Sequence, residues 1–310
     1  PRADGPATQS EARVSGAAQR SPLSLVPARS AFVLSVDARA LVRAPLGAFI
    51  AERLERSAGA STLSQSCGFD PLLRLEQLAL TIPSATLSAD AQPDFGIIAN
   101  GRFSSAEIIR CASTAIGARG GDAIRTKLGS FDTVRDGSAN GGEIAARDGL
   151  VIVSGGSYFR ELVDLAEGVR GPATQQDTRN LAHAELRRAL GPGALLVTWL
   201  LGEGWFERIA GAESDARLSP LSGLTAIAAR LNVAETAQLR VLLDSADSAG
   251  ASQIASLLGD LQSSFAAPVL GPRLLSIAKR IAVERSEARL TLELELTQAE
   301  LSDVLDALAP

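Results

Sequence analysis

The segments "LVIVSGGSYFRELVDL" and "LTLELELTQAELSDVL" constrain this chain more than any other feature in it. Each is an apolar strand running into an amphipathic helix. Their helical stripes correspond: Phe159, Leu162 and Val163 take the places of Leu301, Val304 and Leu305, at i, i+3, i+4 spacing. Two further pairs recur in the same order. "FVLSVDARALVRAPLGAFIAERL" matches "LLVTWLLGEGWFERI", and "DFGIIANGRFSSAEIIRCASTAI" matches "QLRVLLDSADSAGASQIASLLGDL". Little residue identity survives, so the recurrence is one of pattern. The expectation is an α+β fold of two similar halves, arisen by internal duplication. Each half would be a mainly antiparallel sheet with helices packed on one face.

The organisation follows from that pairing. Residues 1–26 lack periodicity, are rich in Ala, Ser, Pro and Arg, and read as a flexible tether. Residues 27–168 form the first half, 169–180 a polar Gly-Pro linker, and 181–310 the second half. In the first half "AFVLSV" is a strand, and Asp37 N-caps the helix after it, with Leu41, Leu46, Phe49, Ile50 and Leu54 as its apolar positions. Pro45 interrupts that helix early. "QLALTIP" and "DFGIIANGRF" are strands, "SFDTVRD" and "GEIAARDG" a hairpin, and "GARGGDA" a loop. Ser104-x-x-Glu107 and Thr297-x-x-Glu300 are capping boxes that start helices. In the second half "LTAIAARLNV", "AQLRVLLDS" and "ARLTLELEL" are strands, while "GPRLLSIAKRIAVERS" is mixed.

Composition narrows the partners. Aromatics are only 4 % of the 310 residues, so the core is Leu, Val, Ile and Ala. The net charge of −5, with no dense basic cluster, disfavours nucleic acid and acidic membrane surfaces. Lysine occurs only at positions 127 and 279, a bias that a GC-rich genome accounts for. No apolar run reaches the roughly 18–20 residues of a membrane span. Met is absent, even at position 1, so the translation start has been removed and a signal segment is expected upstream.

Candidate chemistry is sparse. "SVDARAL" has no glycine between strand and helix and cannot cradle a phosphate. "VIVSGGSYF" has two, but it matches no phosphate-binding pattern and reads as a turn with a Ser157 cap. His183, the only histidine, falls near a helix start, where a solvated ring is expected. No GxSxG elbow supplies a nucleophile for it. Glu293 and Glu295 alternate with leucines, as on the exposed side of a half-buried strand. Neither catalytic, cofactor-binding nor metal-ligating residues are assigned. Trp199 and Trp205 flank "LLGEG" and are a candidate contact surface, with core packing the alternative. Cys67 and Cys111, 44 positions apart, form no CxxC. They are either separately buried thiols or a disulfide. The second requires the strands at 77–82 and 94–103 to pair as a hairpin, so that the next helix carries Cys111 back to the entry of the first strand.

"SLVPARSAFVLSVDARAL", "CGFDPLLRLEQLALTIP" and "DFGIIANGRF" together resemble uncharacterised secreted lipoproteins of GC-rich bacteria, myxobacteria especially, over residues 23–115. The resemblance implies an envelope location and a lipid-tethered start, and it brings no known activity. The reading is therefore a non-enzymatic, extracytoplasmic (periplasmic or outer-membrane-anchored) binding or structural protein of the cell envelope. Its partner would be an envelope protein or an apolar ligand, with membrane contact only through an upstream lipid. The alternative is a carrier of a lipid or acyl chain held between sheet and helices; a hydrolase comes third.

Overall fold

The computed structural model describes residues 21–57, 64, 67–83, 94–137, 142–156, 158–169, 178–210, 216–262 and 267–308. Twelve strands form: β1 (Ser30–Asp37), β2 (Leu75–Pro83), β3 (Phe95–Gly101), β4 (Ala123–Leu128), β5 (Phe131–Asp136), β6 (Glu143–Arg147), β7 (Leu150–Gly155), β8 (Leu195–Leu200), β9 (Leu224–Val233), β10 (Ala237–Ser245), β11 (Ala282–Ser286) and β12 (Arg289–Leu296). Between them lie α1 (Ala38–Arg43), α2 (Gly47–Ser57), α3 (Pro71–Arg74), α4 (Ser105–Ala118), α5 (Tyr158–Glu167), α6 (Thr178–Leu190), α7 (Trp205–Ala210), α8 (Ser248–Asp260), α9 (Ala267–Ala278) and α10 (Gln298–Leu308).

Local chemistry sets several of these boundaries. The Asp37 carboxylate accepts from Ala40 N at 2.8 Å and caps α1, while Pro45 falls in the gap before α2. Ser104 N donates to Glu107 at 2.8 Å, and Glu107 N donates to the Ser104 hydroxyl at 3.3 Å, which starts α4 directly behind β3. Thr297 and Glu300 make the same reciprocal pair at the start of α10.

The architecture is α+β, and its sheet is antiparallel throughout, but there is one sheet and not two. Its order is β11-β12-β10-β9-β8-β1-β2-β3-β7-β6-β5-β4. Pairing β1 with β8 removes an exposed edge from each half. Outward from that seam the two sides share part of their connectivity, with four strands (β4 to β7) after the helix on one side and two (β11 and β12) on the other. Three strands meander (β1-β2-β3 or β8-β9-β10), a helix follows (α4 or α8), and the last strand (β7 or β12) returns beside the third.

Helices cover both faces, where the sequence reading expected one. Following the registers from strand to strand separates a front face, holding Leu34, Leu80, Ile97, Val197 and Val241, from a back face, holding Val33, Ala79, Ile98 and Thr198. On the front, α4 packs Ile109, Ala112 and Ile116 on Val134, Ala146 and Val151. At the other end α8 and α10 cover β10 and β12. On the back, α5 packs Phe159, Leu162 and Val163 on Ile98 and Ile152, and α6 packs Leu186 and Leu190 on Ala226, Ala228 and Leu242. The matched stripes on α5 and α10 therefore lie on opposite faces. Runs such as "LVIV" (150–153) are apolar at every position and need cover on both sides, so the pattern does not say which side a helix takes.

Smaller differences follow. Residues 22–25, placed in the tether, form a 3-10 turn that buries Leu25 against Ala79 and Ile98. The linker ends early, because α6 begins at Thr178. The polar "AIRTKL" after the expected loop is β4, a strand with no apolar alternation to betray it, and "GPRLLSIAKRIAVERS" resolves into α9 and β11.

Candidate functional site

The four central strands, β8, β1, β2 and β3, are packed differently on their two faces. On the back Val33, Ala79, Ile98 and Thr198 are no more than 2 % exposed. On the front Phe32, Leu34, Val36, Leu78, Leu80, Ile97, Leu195, Val197 and Trp199 are all half-buried. The register makes these one band: Leu34 lies between Leu80 and Val197, Phe32 beside Trp199, Val36 between Leu78 and Leu195, and Ile97 beside Leu80. Helix α4 flanks the band on one side and α8 and α10 on the other.

An aromatic row closes one end of the band. Phe32 meets Trp199 edge-on with centroids 6.3 Å apart, Trp199 meets Trp205 at 6.1 Å, and Trp205 meets Phe206 at 5.7 Å. Trp205 Nε1 donates to the Leu224 carbonyl at 3.1 Å, whereas Trp199 Nε1 is buried without an acceptor among the described residues. The two tryptophans are thus brought together, half-buried, at the rim of the apolar surface.

His183 is only 2 % exposed, not solvated, because the turn of α6 that carries it packs onto the seam. Its Nε2 lies 3.1 Å from the Ser30 carbonyl, which can only accept, so Nε2 carries the proton. Nδ1, 2.7 Å from Thr198 Oγ1, then accepts from that hydroxyl. Burial, with Arg187 and Arg179 nearby, pushes the imidazole pKa below its usual 6.5 and keeps the ring neutral. Ser30 Oγ donates to the Pro27 carbonyl at 2.6 Å and accepts from Thr81 Oγ1 at 2.5 Å. The Tyr158 hydroxyl stands 3.4 Å from Ser30 Oγ, with burial raising its pKa. Every polar atom here is committed to holding β1, β2, β8, α5 and α6 together.

The other sequence candidates scatter. Glu293 and Glu295 point from the exposed back face of β12, the first 3.5 Å from Arg240 and the second accepting from Thr236 at 2.6 Å. Gly155 ends β7 and Gly156 turns the chain towards α5, while Ser157 lies outside the described residues. No group of three or more metal-binding side chains occurs among the described residues. Cys67 and Cys111 are bonded to one another, Cα to Cα 4.2 Å, and both are buried. The β2–β3 pairing turns the chain so that α4 carries Cys111 back to Cys67, a few residues before α3.

No family model matches the chain, and no curated protein does. A solved structure titled "Structure of crystal form I of TP0453" aligns with a TM-score of 0.48 at 13 % identity, over 93 % of this chain and 98 % of that one. That likeness is too distant to carry function.

Proposed function

We propose that this is a non-enzymatic, extracytoplasmic binding protein that holds an apolar ligand of the acyl-chain type against the front of its central strands. The observation behind the reading is the asymmetry of those strands: a packed back and a continuous, half-exposed apolar front, edged by two tryptophans. Contiguous apolar surface of this kind marks binding sites in soluble proteins. The non-enzymatic part is supported by the use of both ring nitrogens of the sole histidine in structural bonds. The Cys67–Cys111 bond supports an oxidising compartment, as in the cell envelope. Among the described residues no helix is long and apolar enough to cross a membrane.

The test is a titration of the protein with the fluorescent probe 1-N-phenylnaphthylamine, followed by displacement with saturated fatty acids of graded length. Saturable binding is expected. Each methylene adds about 0.8 kcal/mol when buried, so a competitor shorter by two carbons is weaker by about fifteenfold. Leu80→Gln, in the middle of the band, should weaken the series as a whole. No saturable signal, or displacement indifferent to chain length, would overturn the reading.

A further inference from the structure

Strand β4 ends the sheet and runs beside β5 in unbroken register, from Ala123 opposite Asp136 to Leu128 opposite Phe131. Its outer backbone groups are thus a template for another strand. Between this edge and α4 lies a slot of about 490 Å³. Ala106 and Ile109 of α4 give it an apolar side. Arg110 from α4, with Arg125 and Lys127 from β4, gives it three cations, all exposed. The one carboxylate in the slot, Asp132, is already engaged, with Ser105 Oγ at 2.6 Å and Lys127 Nζ at 3.5 Å. Arg110 and Arg125 have no carboxylate partner among the described residues; Arg125 donates only to Ser113 Oγ at 2.9 Å. A strongly cationic slot in a chain of net charge −5 calls for an explanation beyond solvation.

We propose that this edge receives an extended acidic segment of a partner protein, which adds to the sheet as a further strand. Arg125 and Lys127 share the front face, because they lie opposite Val134 and Asp132. Ile124, Thr126 and Leu128 share the back. An incoming strand with acidic residues at every second position sets its carboxylates against the three cations and its apolar residues beside Ile124 and Leu128. The same charges argue against a second copy of this chain. Two β4 strands paired antiparallel about Thr126 set Arg125 against Lys127, and paired about Arg125 they set Arg125 against its own copy; both are destabilising. The opposite edge, β11, puts Arg285 on the front and Glu284 on the back, opposite Leu290 and Thr291, so it brings no carboxylate to the slot. An anionic membrane fits less well, since the cations line a slot rather than a flat face.

The test uses the intact protein and a fluorescein-labelled peptide, Glu-Val-Glu-Val-Glu-Val, followed by anisotropy. Saturable, salt-sensitive binding is expected, with loss when the glutamates become glutamines or when alternate peptide nitrogens are methylated. The double variant Arg125→Gln/Lys127→Gln should bind about tenfold more weakly, two ion pairs at a strand edge each being worth a few-fold. Both positions are exposed, and thermal melts check that the variant is folded. Three results would overturn the proposal: no saturable binding, equal binding of the methylated peptide, or binding of phosphatidylglycerol vesicles in preference to the peptide.

Discussion

His183 shows how a single residue can serve as a joint. Carried on α6, it reaches Ser30 on β1 and Thr198 on β8, the two strands that form the seam. Replacing it with leucine strands the Ser30 carbonyl and the Thr198 hydroxyl in a buried setting, which costs about 1–3 kcal/mol. Its titration has a definite sign. The folded pKa lies below 6.5, so at pH values under 6.5 the unfolded chain takes up the proton more readily. Stability from this group is complete above about pH 6.5 and falls as the pH drops, until the folded form also protonates. Glu107 acts in a different window. The Ser104 backbone N–H, the Arg74 guanidinium and the Ser104 hydroxyl hold its carboxyl at about 2, so its contribution is lost only as pH falls from 4.5 towards 2. Urea midpoints of the wild type should therefore decline between pH 7.5 and 5, and His183→Gln should flatten that decline while leaving the loss below pH 4.5 in place. An equal decline in both proteins would remove His183 as its cause.

At the scale of elements, the disulfide ties the entry of α3 to α4 around the β2–β3 hairpin. Closing a loop of 44 residues is worth about 4 kcal/mol in the chain-entropy account. Cys67→Ser/Cys111→Ser should lose about 2–4 kcal/mol in urea unfolding, and dithiothreitol should reproduce that loss in the wild type but not in the variant. Thiol titration of the unfolded, unreduced protein should find none. Two reactive thiols would remove both the bond and the support it lends to an oxidising compartment. This pairing is legible in part from the sequence: two strands flank a polar stretch, and a capped helix leads back. Strand β4 was not legible. Its residues, Ala-Ile-Arg-Thr-Lys-Leu, alternate charge with small or polar groups, because an edge strand under one helix flank needs little apolar surface.

On the scale of the molecule, the seam decides the architecture. Phe32 to Val36 pair with Trp199 to Leu195, and Val33 and Thr198 are buried behind them. A half expressed alone would expose that edge with its apolar back. Residues 21–168 and 178–310, produced separately, should aggregate or remain incompletely folded. Mixed during refolding, they should form a one-to-one complex by size exclusion. Two monomeric halves, each with a cooperative melt of its own, would show that β1–β8 pairing is dispensable. Part of the strand order repeats on the two sides of the seam, and the opposite placement of α5 and α10 sets the limit of the likeness.

The sequence by itself determined what depends on neighbours within a few positions. The strands at 31–36, 224–233 and 237–245, the Asp37 cap, the two capping boxes, the break at Pro45 and the matched order of elements all follow from side-chain periodicity and cap chemistry. Tertiary structure alone decided which strand edges meet, which face each helix covers, that His183 is enclosed, and that three cations gather beside β4. Those outcomes depend on contacts between residues far apart in the chain. A strand that is apolar on both sides carries no mark of the face its helix will take, and a histidine at the start of a helix carries none of the carbonyl, some 150 positions away, that will bind it.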